Sequence, residues 1–99
     1  MRKRRLNLLH RLGYKMPVSA QVEVGTTAVI IAPAANSYQN VYIHNLGGGA
    51  IYIGGSDVTT SNGYQLDNGD KLSVIIGDRE ALYAVSLSGT HTVGILRQK

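Results

Sequence analysis

Past Pro17, no apolar run in this chain is long enough to make a buried helix. Short stretches rich in Val, Ile and Tyr alternate apolar with polar residues, and Gly, Asn, Asp, Ser or Pro breaks each of them. A period of two interrupted this often builds antiparallel strands. The stretches are Ser19–Val24, Thr27–Ala32 (ended by Pro33), Val41–Asn45, Ala50–Ile53, the short extended piece Tyr64–Leu66, Lys71–Ile76, Ala81–Leu87 and His91–Leu96. The fold expected is all-β: a small antiparallel β-sandwich or barrel, jelly-roll-like, of about six or seven strands.

Alternation also assigns faces. Val22 and Val24 oppose Gln21 and Glu23, Val41 and Ile43 oppose Tyr42 and His44, and Ile51 and Ile53 oppose Ala50 and Tyr52. Leu72, Val74 and Ile76 share a face, and Val93 and Ile95 point inward. Asp67-Asn68-Gly69-Asp70 is the strongest turn signal, because Asn and Gly tolerate the positive φ of tight turns. Gly47-Gly48-Gly49 reads as a flexible turn joining its two flanking strands as a hairpin. The polar segment Ser56–Gly63 reads as a connection crossing from one sheet to the other.

The core of such a domain is thin. At 99 residues, with no Cys, Trp or Phe, the chain relies on Val, Ile, Leu and six Tyr for apolar area, and oligomerisation is a common remedy. Several strands are apolar on both faces: Ile75 opposes Val74 and Ile76, and Tyr83, Val85 and Leu87 oppose Leu82 and Ala84. Burial against another copy is therefore expected, with Tyr42, Tyr52, Tyr83 and Val85 as candidates for the subunit interface.

Charge divides the chain in two. Arg2, Lys3, Arg4, Arg5, Arg11 and Lys15 are six of its ten basic residues, and no acid accompanies them. From Met16 onward four basic residues face six acidic ones. Residues 1–17 thus read as a basic N-terminal arm and residues 18–99 as the β-domain. Leu6, Leu8, Leu9 and Leu12 have helical i,i+3 and i,i+4 spacing, and Gly13 would stop the helix. So short a helix is marginal alone in water and orders when its leucine face meets a partner. The arm is expected either to remain a solvated tail or to dock, through Arg2, Lys3, Arg4, Arg5, Leu6, Leu9, Arg11, Leu12 and Lys15, on an acidic partner or on packaged nucleic acid. Asn7, His10 and Arg11 interrupt the apolar run that a signal peptide needs, and no segment approaches a membrane span. Synthesis in the cytoplasm without export and without membrane contact is the expectation.

No constellation points to chemistry. Ser, His and Asp occur, but scattered through turns and without a G-x-S-x-G elbow. His10, His44 and His91 lack ligand spacing and there is no Cys to complete a zinc site. The D-N-G-D turn lacks the long loop and terminal Glu of an EF-hand. No helix follows the glycine cluster to cradle phosphate. A stacking platform for single-stranded nucleic acid on Tyr42, Tyr52 and Tyr83 would lack flanking cations. No catalytic residue, metal or cofactor is expected, and the chain reads as a binding or structural protein.

The residues VYIHNLGGGAIYIGGSDVTTSNGYQLDNGDKLSV, from Val41, and ALYAVSLSGTHTVGILR, from Ala81, resemble a recurrent sequence type in structural proteins of tailed-bacteriophage virions. The resemblance covers a little over half the chain and leaves out the arm. It implies a small virion component, foremost a capsid decoration (cement) protein, a homotrimer whose partners are the major capsid protein or other virion proteins. Tail, neck or head-fibre components are the alternative within the virion. A carbohydrate- or nucleic-acid-binding β-module is the alternative outside it. The motif is scaffold, so no catalytic residue carries over.

Overall fold

The computed structural model describes residues 17–98. These form eight strands: β1 (Val18–Val24), β2 (Val29–Ala32), β3 (Gln39–Asn45), β4 (Ile51–Gly54), β5 (Tyr64–Leu66), β6 (Lys71–Ile76), β7 (Leu82–Ser86) and β8 (His91–Gln98). Two four-stranded antiparallel sheets result, β1-β8-β3-β6 and β2-β7-β4-β5. The eighth strand, beyond the six or seven expected, is Tyr64–Leu66, which pairs with β4 through Leu66 opposite Ile51 and Tyr64 opposite Ile53.

The strand order has a simple origin. β4 pairs with β5, β3 with β6, β2 with β7 and β1 with β8. The chain is thus one long antiparallel ribbon, folded back at the segment between β4 and β5. The ribbon is then rolled so that β3 meets β8 and β4 meets β7, which is the jelly-roll arrangement.

This topology corrects two expectations from the turn signals. Gly47–Gly49 does not close a hairpin, because β3 and β4 lie in different sheets. Ser56–Gly63 does not cross between sheets; it is the ribbon's apex and joins two paired strands of one sheet. Length misled in both cases. Rolling the ribbon needs tight corners, whereas its free end tolerates a long loop.

The inward residues follow the predicted alternation. Val24, Val41, Ile43, Ile51, Ile53, Leu66, Ile76, Ala84, Val93 and Ile95 are buried together, with Val22, Leu72, Val74 and Leu82 packed against them. Each fully buried aliphatic side chain contributes roughly 1.5–3 kcal/mol. In β2 the alternation breaks, since Ile31 and Ala32 are both buried beside a register shift between Ile30 and Ala32. A bulge of this kind turns two consecutive side chains inward. The corners use positive φ at Gly69 (84°), Gly89 (71°) and Arg79 (65°). The Arg79 amide donates to Ala35 O at 2.7 Å, which ties that corner to the chain before β3.

Three buried polar side chains close the two ends of the barrel. At one end Gln39 Nε2 donates to Pro33 O at 2.8 Å and its Oε1 accepts from Arg97 Nη1 at 3.0 Å. Arg97→Ala would leave that amide oxygen without its protein donor. A loss of about 1–2 kcal/mol is expected, read as a lower denaturation midpoint at unchanged slope.

Candidate docking face

The space between the two sheets is occupied by the hydrophobic core. It is filled by aliphatic side chains, and Gln39, Asn45 and Ser86 are satisfied from within. Ser86 Oγ donates to Gly89 O at 2.7 Å. Asn45 makes three side-chain hydrogen bonds: Nδ2 donates to Gly49 O and Leu66 O, both at 2.9 Å, and Oδ1 accepts from Gly47 N at 3.0 Å. Among the described residues no buried side-chain nitrogen or oxygen lacks a partner. Nor do three or more His, Cys, Asp or Glu gather among them at a metal-binding distance. His44 points outward from β3. The His91 ring lies against Gly47 and Gly49, its Nε2 3.0 Å from Ser88 O. Asp67 of the D-N-G-D turn accepts from Gln65 Nε2 at 2.8 Å.

What the molecule presents is therefore its outside. On the sheet containing β1 and β8, pairing register aligns two outward rows across all four strands: Ser19, Leu96, Tyr42 and Ser73, and beside it Gln21, Gly94, His44 and Lys71. These rows line an open groove of about 710 Å³. Its floor is apolar at the two central strands, where Leu96 and Tyr42 remain 39% and 41% exposed. Between them and Leu46 lies Gly94, where a Cβ would meet Leu46 Cδ1 no closer than 3.5 Å, so the floor has a bare step. Glycine inside a strand often marks a place where another group approaches the backbone. Polar residues form the two walls, and Glu23 at one end accepts from Thr92 Oγ1 at 2.6 Å.

The opposite sheet differs. Tyr52, Val85 and Gln65 align on its outer face, with Tyr83 opposite Ile30 and Gly54. The apex loop folds back over this face. Its Val58 is buried above Gly54, where a Cβ would come within 2.9 Å of Val58 Cγ2, and it shares a depression with Val85. Asn62 Oδ1 accepts from Thr59 N at 2.7 Å and holds the loop's shape.

The four interface candidates are thus separated. Tyr42 lies in the open groove, whereas Tyr52, Tyr83 and Val85 lie on the other sheet. Val85 is only 6% exposed, covered by its own chain, which leaves it little surface for a subunit contact. Of the doubly apolar residues, Ile75 and Leu87 stay about two-thirds exposed, at 68% and 69%. The arm candidates Arg2, Lys3, Arg4, Arg5, Leu6, Leu9, Arg11, Leu12 and Lys15 lie outside the described residues. Leu96 and Gly94 are central to the groove but were not singled out as site residues from the sequence. Leu96 was legible as the residue out of phase with inward Val93 and Ile95. A strand glycine carries no such signal.

No family model matches the chain, and no curated protein matches it. Solved structures do resemble it. One belongs to the Bacillus endospore appendages, a family of disulfide-linked pili, with TM-score 0.57, 17% identity and 85% of each chain covered. Another is a sugar phosphate isomerase of the cupin superfamily from Silicibacter pomeroyi, with TM-score 0.55 and 11% identity; the match covers 93% of this chain but 56% of that one. A de novo designed double-stranded β-helix matches with TM-score 0.50 and 13% identity over 86% of this chain and all of the design, 100%. At such identities the likeness establishes the fold, and folds of this kind host unrelated functions.

Proposed function

We propose that this chain is a structural subunit of a tailed-bacteriophage virion, a decoration protein that stabilises the head by bridging capsid subunits. The observation that carries the reading is where the molecule keeps its apolar groups. Its interior is packed with aliphatic side chains, and Tyr42, Leu96, Ile75 and Leu87 are left on the outside. Exposed apolar surface of this kind suits protein contact. The resemblance of Val41–Leu96 to a sequence type of virion proteins supplies the virion context, and the reading assigns the chain no catalytic chemistry. A trimer whose subunits each carry a basic arm would engage several capsid subunits at once. Linked contacts of this sort raise overall avidity by roughly 10²- to 10⁴-fold without any single strong contact.

The test is reconstitution. Purified full-length protein, mixed with expanded capsids lacking it, is expected to bind at a fixed stoichiometry and to raise the temperature at which they release DNA. Absence of binding to capsids, or binding to isolated tails instead, overturns the decoration role.

A further inference from the structure

We infer that the groove on the β1-β8-β3-β6 sheet is the seat of the chain's own N-terminal arm, which lies across the strands with its leucines on Tyr42 and Leu96. The inference concerns this chain alone; with Tyr42 and Leu96 covered by the arm, the exposed apolar residues of the virion reading left for contact with other proteins are Ile75 and Leu87.

Position argues for it first. The arm joins the domain at Pro17, immediately before β1, and Ser19 and Gln21 of β1 form the near wall of the groove. The segment between Gly13 and Pro17 is five residues, enough to span roughly 17 Å when extended. A linker this short holds the arm at an effective concentration in the millimolar range, so weak contacts suffice.

Dimensions agree. From β1 to β6 the groove crosses three strand spacings, about 14 Å. The helix that the leucine spacing predicts over Leu6–Leu12 would be about 10 Å long. At about 100° per residue, Leu8, Leu9 and Leu12 fall on one face and Leu6 at its margin. The groove offers the complement: an apolar floor at Leu96 and Tyr42 and polar walls at Ser19, Gln21 and Ser73. The bare backbone at Gly94 lets a leucine side chain approach closely.

Charge sets the orientation. The groove's own lining includes Lys71 and His44 and no acid, and Glu23 at its end already accepts from Thr92 Oγ1, so the arm's cations gain little by turning inward. With the leucines seated, Arg4 and Arg11 lie toward solvent. Docking would set the arm's cations as a basic strip on this face of the domain, available to an acidic surface.

The chain has no cysteine, so Asn7→Cys gives a single attachment point for a nitroxide, on the side of the helix away from Leu8, Leu9 and Leu12. In the full-length, isotope-labelled protein the expected result is loss of amide signal strongest at Tyr42, Gly94 and Leu96 and weakest at Tyr52 and Val85. Equal loss everywhere, no loss, or strongest loss on the β2-β7-β4-β5 sheet overturns the inference. A mixture of spin-labelled unenriched chain with unlabelled enriched chain separates the other occupant: signal loss there means that the arm of a second copy fills the groove, which also overturns it. Gly94→Ile, which fills the floor, should abolish the pattern while amide dispersion stays native. Leu9→Asp with Leu12→Asp, which leaves the β-domain untouched, should do the same; persistence of the pattern in that variant is incompatible with docking through the leucines.

Discussion

Replacing Asn45 with Ala should cost about 3 kcal/mol or more, the largest single loss expected of any polar side chain in the domain. Asn45 is fully buried, at 0% exposure, and its amide serves three backbone partners. It reaches the corner between β3 and β4 through Gly47 N and Gly49 O, and the end of β5 through Leu66 O. Its own backbone donates to Asp70 O at 3.0 Å and accepts from Gly69 N at 2.8 Å. One residue therefore pins two corners of the roll and joins the two sheets at one end of the barrel. Truncation would leave Gly47 N–H and two carbonyls without partners, each worth roughly 1–3 kcal/mol where water cannot reach. Urea denaturation followed by circular dichroism should show a midpoint shift of that size at unchanged slope. In heat, Tm should fall by roughly 12 °C or more. Asn45→Asp is expected to be no better, since a carboxylate keeps the bond from Gly47 N but meets the oxygens of Gly49 and Leu66 with like charge. A loss under about 1 kcal/mol for the alanine variant would mean that water replaces the amide and that this end of the barrel is open.

The second large effect concerns the glycine triplet, whose three members should respond very differently. A Cβ on Gly47 would lie 2.3 Å from His91 Cβ and 2.8 Å from His91 Cα. The obstacle is backbone, so Gly47→Ala forces β8 away from the corner, with an expected loss of about 3 kcal/mol, the upper end for overpacking. A Cβ on Gly49 would meet only the far end of the imidazole, Nε2 at 2.9 Å and Cε1 at 3.0 Å. Gly49→Ala should cost roughly 1 kcal/mol and be largely rescued by His91→Ala, which removes the ring; Gly47→Ala should not be rescued by it. Gly48 has open space, with no atom within 4 Å, and Gly48→Ala should be neutral to slightly stabilising because it restricts the unfolded chain. Stability measurements on the three single variants and the two doubles decide this. Equal effects at 47 and 48 would refute the packing account and restore a simple flexible turn.

That contrast shows what could be read from the sequence. Inside and outside were legible wherever a strand alternates cleanly, as at Val41 and Ile43 or Val93 and Ile95, because the pleat forces alternate side chains to opposite faces. Which strand pairs with which was not, because partners lie far apart in the chain and local pattern carries no information about them. Gly47–Gly49 looks the same whether it closes a hairpin or makes room for His91. Ser56–Gly63 read as a polar crossing, and the burial of its one aliphatic residue, Val58, against Gly54 emerges only once the ribbon is rolled. Tyr42 was legible as an outward residue, but its separation from Tyr52 and Tyr83 follows from the sheet assignment. The groove needed both Leu96, readable by parity, and Gly94, whose use depends on the neighbours that register brings beside it.

The nested pairing of the ribbon also bears on how the domain is acquired and lost. Strands β4 and β5 are close in sequence and can associate early, each successive pair closes a larger loop, and β1 meets β8 only after almost the whole domain has been synthesised. Folding dominated by such distant partners is slow compared with that of helical domains of this size. Unfolding under load should reverse the order. Val18 and Arg97 face each other at the open end of the ribbon, so force that draws the two ends of the chain apart acts on the β1–β8 hydrogen bonds one after another, like a zipper. An assembly using this subunit under strain would be sturdier gripping its sheet faces than hauling on both of its ends.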